Sequence, residues 1–68
     1  MTLVTVLERN LTLRLTIDEL LTINNALNEV CNGIEVPEFH ARIGASLDQV
    51  RLLLSSVGNA IEKASQRH

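Results

Sequence analysis

Asn24 and Asn28 stand four residues apart in a stretch of helical spacing, and Asn24 falls within its apolar stripe, one turn from both Leu20 and Leu27. Two amides so placed could bind a ligand. They could also hydrogen-bond across a symmetric interface and set its register, or satisfy backbone groups of a neighbouring segment, because a buried amide must find partners somewhere. The second and third uses are favoured about equally over a ligand site. Asn24 is accordingly expected to be mostly buried and hydrogen-bonded.

Cys31 and His40 are the other candidates for chemistry. A nucleophile and base of this kind need a third group to orient the base and an oxyanion site, and no motif supplies either. A free cysteine on an apolar helix face is usually a small hydrophobe. Glu38 and His40 offer two metal ligands on one turn, too few for a site. The carboxylates are scattered and the three glycines stand alone, so neither an acid/base pair nor a phosphate loop is present. The expectation is a non-enzymatic protein with no cofactor and no metal.

The sharpest functional pattern is a helix-turn-helix over residues 38–54. Such a motif wants a short helix, a turn glycine, a Ser-type cap and a second helix with inward apolar residues. Phe39, Ile43, Gly44, Ser46, Val50 and Leu53 comply, whereas His40 puts a bulky polar side chain where the motif carries a small one against the second helix. DNA contacts would come from Arg42, Ser46, Gln49 and Arg51. The outward positions of the reading helix offer one cation, Arg51, against one anion, Asp48, where phosphate binding wants several cations. DNA binding is therefore the alternative reading.

These residues must be held by a small set of elements. Thr16 and Glu19 form a capping box, with Leu15 and Leu20 placed as a hydrophobic staple, so a helix starts at residue 17. Leu20, Ile23, Leu27 and Val30 make its apolar stripe, widened by Ile17, Ala26 and Cys31. Gly33 in the left-handed conformation, with Ile34 folded back on the last turn, would end it. Ahead of it, Leu11, Leu13, Leu15 and Ile17 alternate with polar residues as in a half-buried strand. Leu3 to Leu7 does not alternate cleanly: Val4 and Val6 point to one side, Leu3 and Leu7 to the other, so both faces want cover. A three-residue loop, Glu8-Arg9-Asn10, would pair Leu7 with Leu11, and a two-residue Arg9-Asn10 turn would pair Val6 with Leu13. A single long strand is the third possibility.

Beyond Gly33, Pro37 suits the first position of a short helix running to Ile43 and closed by Gly44. Ser46 and Gln49 give a second capping box, after which Leu47, Val50, Leu54, Val57, Ile61 and Ala64 hold a seven-residue repeat for almost three cycles. Leu53 and Ala60 broaden that seam. Gly58 costs about 1 kcal/mol of helix propensity unless another backbone packs closely there. Residues 65–68 are expected to fray.

The strings Asn25 to Gly33 (NALNEVCNG) and Glu38 to Gly44 (EFHARIG), with LTIDEL from Leu15 to Leu20 ahead of them, resemble a set of small bacterial proteins of cyanobacterial and actinobacterial type. The resemblance covers roughly the middle half of the chain. That set carries no assigned activity, so the resemblance implies no role for any residue.

Sixty-eight residues make a single domain, 1–68, that buries too small a share of its surface to be comfortably stable alone. With one cysteine and no spaced Cys/His set, neither an intrachain disulfide nor a structural zinc can supplement the core, and Phe39 is the sole aromatic. Self-association is the remaining staple. A net charge of −2 gives no long-range attraction for nucleic acid or an anionic membrane. The N-terminal stretch lacks the features of a signal peptide, and no apolar run is long enough to span a bilayer, so a cytoplasmic location is expected. The fold expected is α+β: an N-terminal β-hairpin or strand, then two main antiparallel helices with a short helical turn between them. The function expected is that of a homo-oligomeric protein-interaction module, a homodimer or higher even oligomer. Its candidate interface or buried polar residues are Val4, Val6, Asn24, Asn28, Leu54, Val57 and Ile61.

Overall fold

The two capping boxes fix where the main helices begin. The Glu19 N–H donates to Thr16 Oγ1 at 3.1 Å and the Thr16 N–H donates to Glu19 Oε1 at 2.9 Å, satisfying two donors that the first turn would otherwise leave bare. Helix α1, Ile17–Asn28, follows. The Gln49 N–H donates to Ser46 Oγ at 3.1 Å and the Ser46 N–H to Gln49 Oε1 at 2.8 Å, and this box opens the long helix Leu47–Ser65, labelled α3. The coordinates are a computed structural model in which residues 1–66 are described. Of the residues expected to fray, Ser65 is the last of α3 and Gln66 its cap, while Arg67 and His68 lie outside the described residues.

The chain is an α+β fold, an antiparallel hairpin of β1 (Thr2–Leu7) and β2 (Asn10–Arg14) followed by the helices. The register differs from all three arrangements that the sequence suggested. A two-residue Glu8-Arg9 turn pairs Leu7 with Asn10 and Val6 with Leu11. Glu8 takes a φ of 55° while Arg9 does not turn positive, so the turn is not type I′, which needs a positive φ at both central residues. Asn10, expected in the loop, is the first residue of β2.

The end of α1 also departs from expectation. Instead of a left-handed Gly33, the last turn widens into a π turn over Glu29–Gly33, in which the Ile34 N–H reaches back five residues to the Glu29 carbonyl at 3.0 Å. That bond satisfies a terminal carbonyl without any positive φ, and Gly33 is not among the positive-φ residues. Ile34 is left exposed and does not fold back. The connector then makes a turn at Pro37-Glu38, with Glu38 left-handed at φ 51°, and the short helix α2 spans Phe39–Ile43. Pro37 thus precedes α2 by two residues and does not occupy its first position. Gly44 closes α2 in the left-handed region at φ 85°, where glycine carries no Cβ penalty.

The seven-residue seam of α3 is used within the chain. Val50 is buried, and Leu47, Leu54, Val57, Ile61 and Ala64 are half-buried, while α3 packs on α1, whose Leu20, Ile23, Leu27 and Val30 are half-buried in turn. The pairing is antiparallel: the π turn after α1 also touches α3, and Gly58, beyond the middle of α3, faces Asn24 in the middle of α1. A Cβ placed on Gly58 would meet Asn24 Oδ1 at 4.0 Å, an ordinary van der Waals contact, so no close backbone approach requires glycine there. Gly58→Ala should then raise stability by about 1 kcal/mol, the difference in helix propensity. Chemical denaturation of the two proteins side by side checks this, and a destabilised Gly58→Ala would mean that something outside the chain packs on that position.

Candidate interaction surface

The hairpin and the helices bury very different amounts of themselves. Cys31 and Val50 are the two buried apolar residues among the described residues, both on the helical side, and every residue of both strands is exposed. The strands pair with each other, and the contacts of the helical layer run among α1, the π turn and α3. The hairpin is tied to the helices by charge: the Met1 ammonium donates to Glu19 Oε2.

Within the hairpin a bulge repairs the faulty alternation of β1. Leu3 lies opposite Leu13 and Thr5 opposite Thr12, so Val4 is an extra residue with no partner. One inserted residue shifts side-chain parity by one, which brings Leu3 and Val6, three apart in sequence, onto the same face. Cross-strand partners share a face, so Leu3, Val6, Leu11 and Leu13 form one apolar patch. The reverse face carries Thr2, Thr5, Asn10, Thr12 and Arg14, with Leu7 beside the turn. The expectation that both faces of β1 are apolar is therefore corrected: one face is apolar and the other mostly polar. Leu3, Val6 and Leu11 are each more than half exposed and Leu13 is 38% exposed.

The candidates from sequence are distributed as follows. Val6 belongs to the apolar hairpin face, and Val4 is its bulge. Leu54, Val57 and Ile61 lie in the half-buried seam against α1. Asn24 is half-buried, not mostly buried, and no hydrogen bond to its side chain forms among the described residues. The reason is its neighbour: opposite it stands Gly58, which brings no side chain to donate or accept. Asn28 is exposed, and its Oδ1 accepts from Asn32 Nδ2 at 3.0 Å, a local bond along the end of the helix. The two amides do not converge on a site. Leu3, Leu11 and Leu13 are the surface residues that sequence reasoning left out of the candidate interface. The signal for them was the phase slip between Leu3 and Val6, which a bulge converts into a single face.

The residues considered for DNA contact occupy the α2–α3 corner. Arg42 is exposed, Ser46 Oγ and Gln49 Oε1 are engaged in the capping box, and Arg51 approaches Asp48 at 3.9 Å in an exposed pair. Cys31 is buried and free, whereas His40 is exposed, and no hydrogen bond joins the two among the described residues. Among the described residues there is no group of three or more potential metal ligands, no cavity or cleft, and no helix long and apolar enough to cross a membrane.

Glu19 has a displaced titration. The ammonium of Met1, and next the Thr16 N–H, hold its pKa below the ordinary 4.5 by favouring the charged form. A depressed carboxyl pKa contributes stability that is present above the unfolded value and is lost as pH falls through the lowered folded value. Acidification below about pH 4.5 should accordingly loosen the first turn of α1 and the start of β1 together. A carboxyl-carbon NMR titration, read beside the Thr16 and Glu19 amides, checks this. In Glu19→Gln the amide signals should no longer follow that titration. Compared with known protein families, with curated proteins and with solved structures, the chain gives no match.

Proposed function

We propose that this chain is a non-enzymatic, cytoplasmic interaction module that acts as a homodimer or higher even oligomer. The observation that carries the reading is surface area. The chain exposes 5648 Å² at a mass of 7.5 kDa, whereas folded monomers of that mass expose about 4,200 Å². The excess, about 1,400 Å² per chain, corresponds to a dimer interface of about 2,800 Å² in total, within the range of obligate homodimers. Shape points the same way. Extents of 40 × 30 × 16 Å describe a flattened slab and not a sphere, a shape that leaves a chain of this size more surface than a compact monomer has.

The DNA-binding reading is less well supported. Two of its four candidate contacts cap α3, the corner has few cations, and the net charge is negative. Sedimentation velocity on the intact chain tests the proposal. A species of twice 7.5 kDa or a higher even multiple is expected at micromolar concentration, with no submicromolar binding to a pool of random duplex DNA at physiological salt. A mass of 7.5 kDa that persists at high micromolar concentration would overturn it.

A further inference from the structure

We infer that the apolar face of the hairpin is the surface on which two copies of this chain meet, with Leu3, Val6, Leu11 and Leu13 of one copy packed on the same four residues of the other across a two-fold axis. The inference rests on the oligomeric reading above and assigns it a surface.

Two observations select this surface. An isolated two-stranded hairpin is at best marginal in water and needs further strands or a packed partner to persist. Here, among the described residues, the strands have no third strand and no extensive packing on a helix, since the main contacts of the helical layer are within it and the Met1–Glu19 ion pair ties the start of β1 to α1. The hairpin nevertheless has the pattern of a sheet covered on one side, four aliphatic residues on one face and mainly polar residues on the other, and the bulge at Val4 produces it.

The occupant is a second copy because the patch is self-complementary. It contains no charge, donor or acceptor among its side chains, so it can face its own image without leaving a polar group unpaired. The exposed apolar residues of α3 lack this continuity. Leu52, 70% exposed, stands on the side of α3 away from the seam, between Asp48 and Ser56 one turn to either side, and the seam itself is occupied by α1. The surface excess of about 1,400 Å² per chain also exceeds what four side chains can bury, so the flanks of α1, with Ile17 and Leu21 exposed, would close against the partner around the hairpin pair.

The test uses the full chain. A sample mixed from isotope-labelled and unlabelled protein, refolded together, is read by an isotope-filtered NOE experiment, and contacts between chains are expected among the methyls of Leu3, Val6, Leu11 and Leu13. In parallel, Val6→Lys combined with Leu11→Lys should raise the dimer dissociation constant at least about a hundredfold, because an ammonium buried at the two-fold meets its own image. The helical circular dichroism of the separated chains should persist, which distinguishes dissociation from unfolding. Leu52→Lys should leave the dimer intact. A dimer whose interchain contacts come only from helical methyls such as Leu52 and Leu53, or one indifferent to the paired lysines, overturns the surface and leaves the oligomeric reading standing. A wild-type chain that is monomeric throughout overturns both.

Discussion

Val50→Ala should lower stability by about 2 kcal/mol, the largest effect expected of any single truncation in the helical layer. Val50 is 4% exposed, the more deeply buried of the two core residues, and it lies near the start of α3 on the face turned to α1. Removing its two methyl groups forfeits about 1.6 kcal/mol of transfer free energy, and the unfilled space adds roughly 1 kcal/mol because the surrounding helices relax only in part. Alanine returns about 0.5 kcal/mol through its better helix propensity. For a domain of this length the net loss corresponds to a fall in melting temperature of roughly 8–16 °C. Leu52→Ala, at a position 70% exposed on the opposite side of the helix, should stay within about 0.5 kcal/mol of wild type. Thermal melts at one fixed chain concentration decide between the two positions. Equal losses would show that the solvent side of α3 is as well packed as the seam, which would place a partner there.

What was legible in the sequence was the chemistry that acts over three or four residues. Thr16 with Glu19 and Ser46 with Gln49 are each a side chain answering a backbone group three positions away, so the donors and acceptors can be named before any tertiary structure is known. The seam of α3 was legible as a stripe for a similar reason, but its partner was not: Leu54, Val57 and Ile61, expected at an interface, are half-buried on the helix that packs on α1. Gly44 was readable as a stop because only its own φ was at issue.

The features that escaped depend on pairs of segments. Whether Val4 is a bulge cannot be told from β1 alone, because the same residues in an unbulged strand put Leu3 and Val6 on opposite faces. Only the positions of Leu11 and Leu13 across the ladder decide it. The turn was misplaced for a related reason: Asn10 is the better residue for positive φ, yet Glu8 takes it, since the pairing of Val6 with Leu11 gathers the apolar residues and sets the loop. At Gly33 the sequence offered a left-handed cap, and the helix instead satisfied the same carbonyl by widening its last turn. Asn24 was placed on the correct stripe but given a partner, because its spacing says that it faces α3 and not that the residue opposite is Gly58.

If a second copy covers the hairpin, unfolding must be bimolecular, and the urea midpoint should climb with chain concentration. For a dimer that dissociates as it unfolds, each tenfold increase in total chain adds about 1.4 kcal/mol to the apparent stability of the folded species. With an m value of about 2 kcal/mol/M, that displaces the midpoint by roughly 0.7 M urea per decade, so a series from 1 to 100 µM should span more than about 1 M. A monomeric fold has no such term, since both its states scale alike with concentration. Two separable effects are expected in the Val6→Lys, Leu11→Lys double variant: the concentration dependence should vanish, and the remaining transition should report the helical layer alone. That transition should be shallow and of low midpoint, because two helices with Cys31 and Val50 as their buried apolar residues hold little surface out of water. A steep, concentration-independent transition in the wild-type chain would mean that the slab is stable by itself, and that the apolar hairpin face is tolerated in water without a partner.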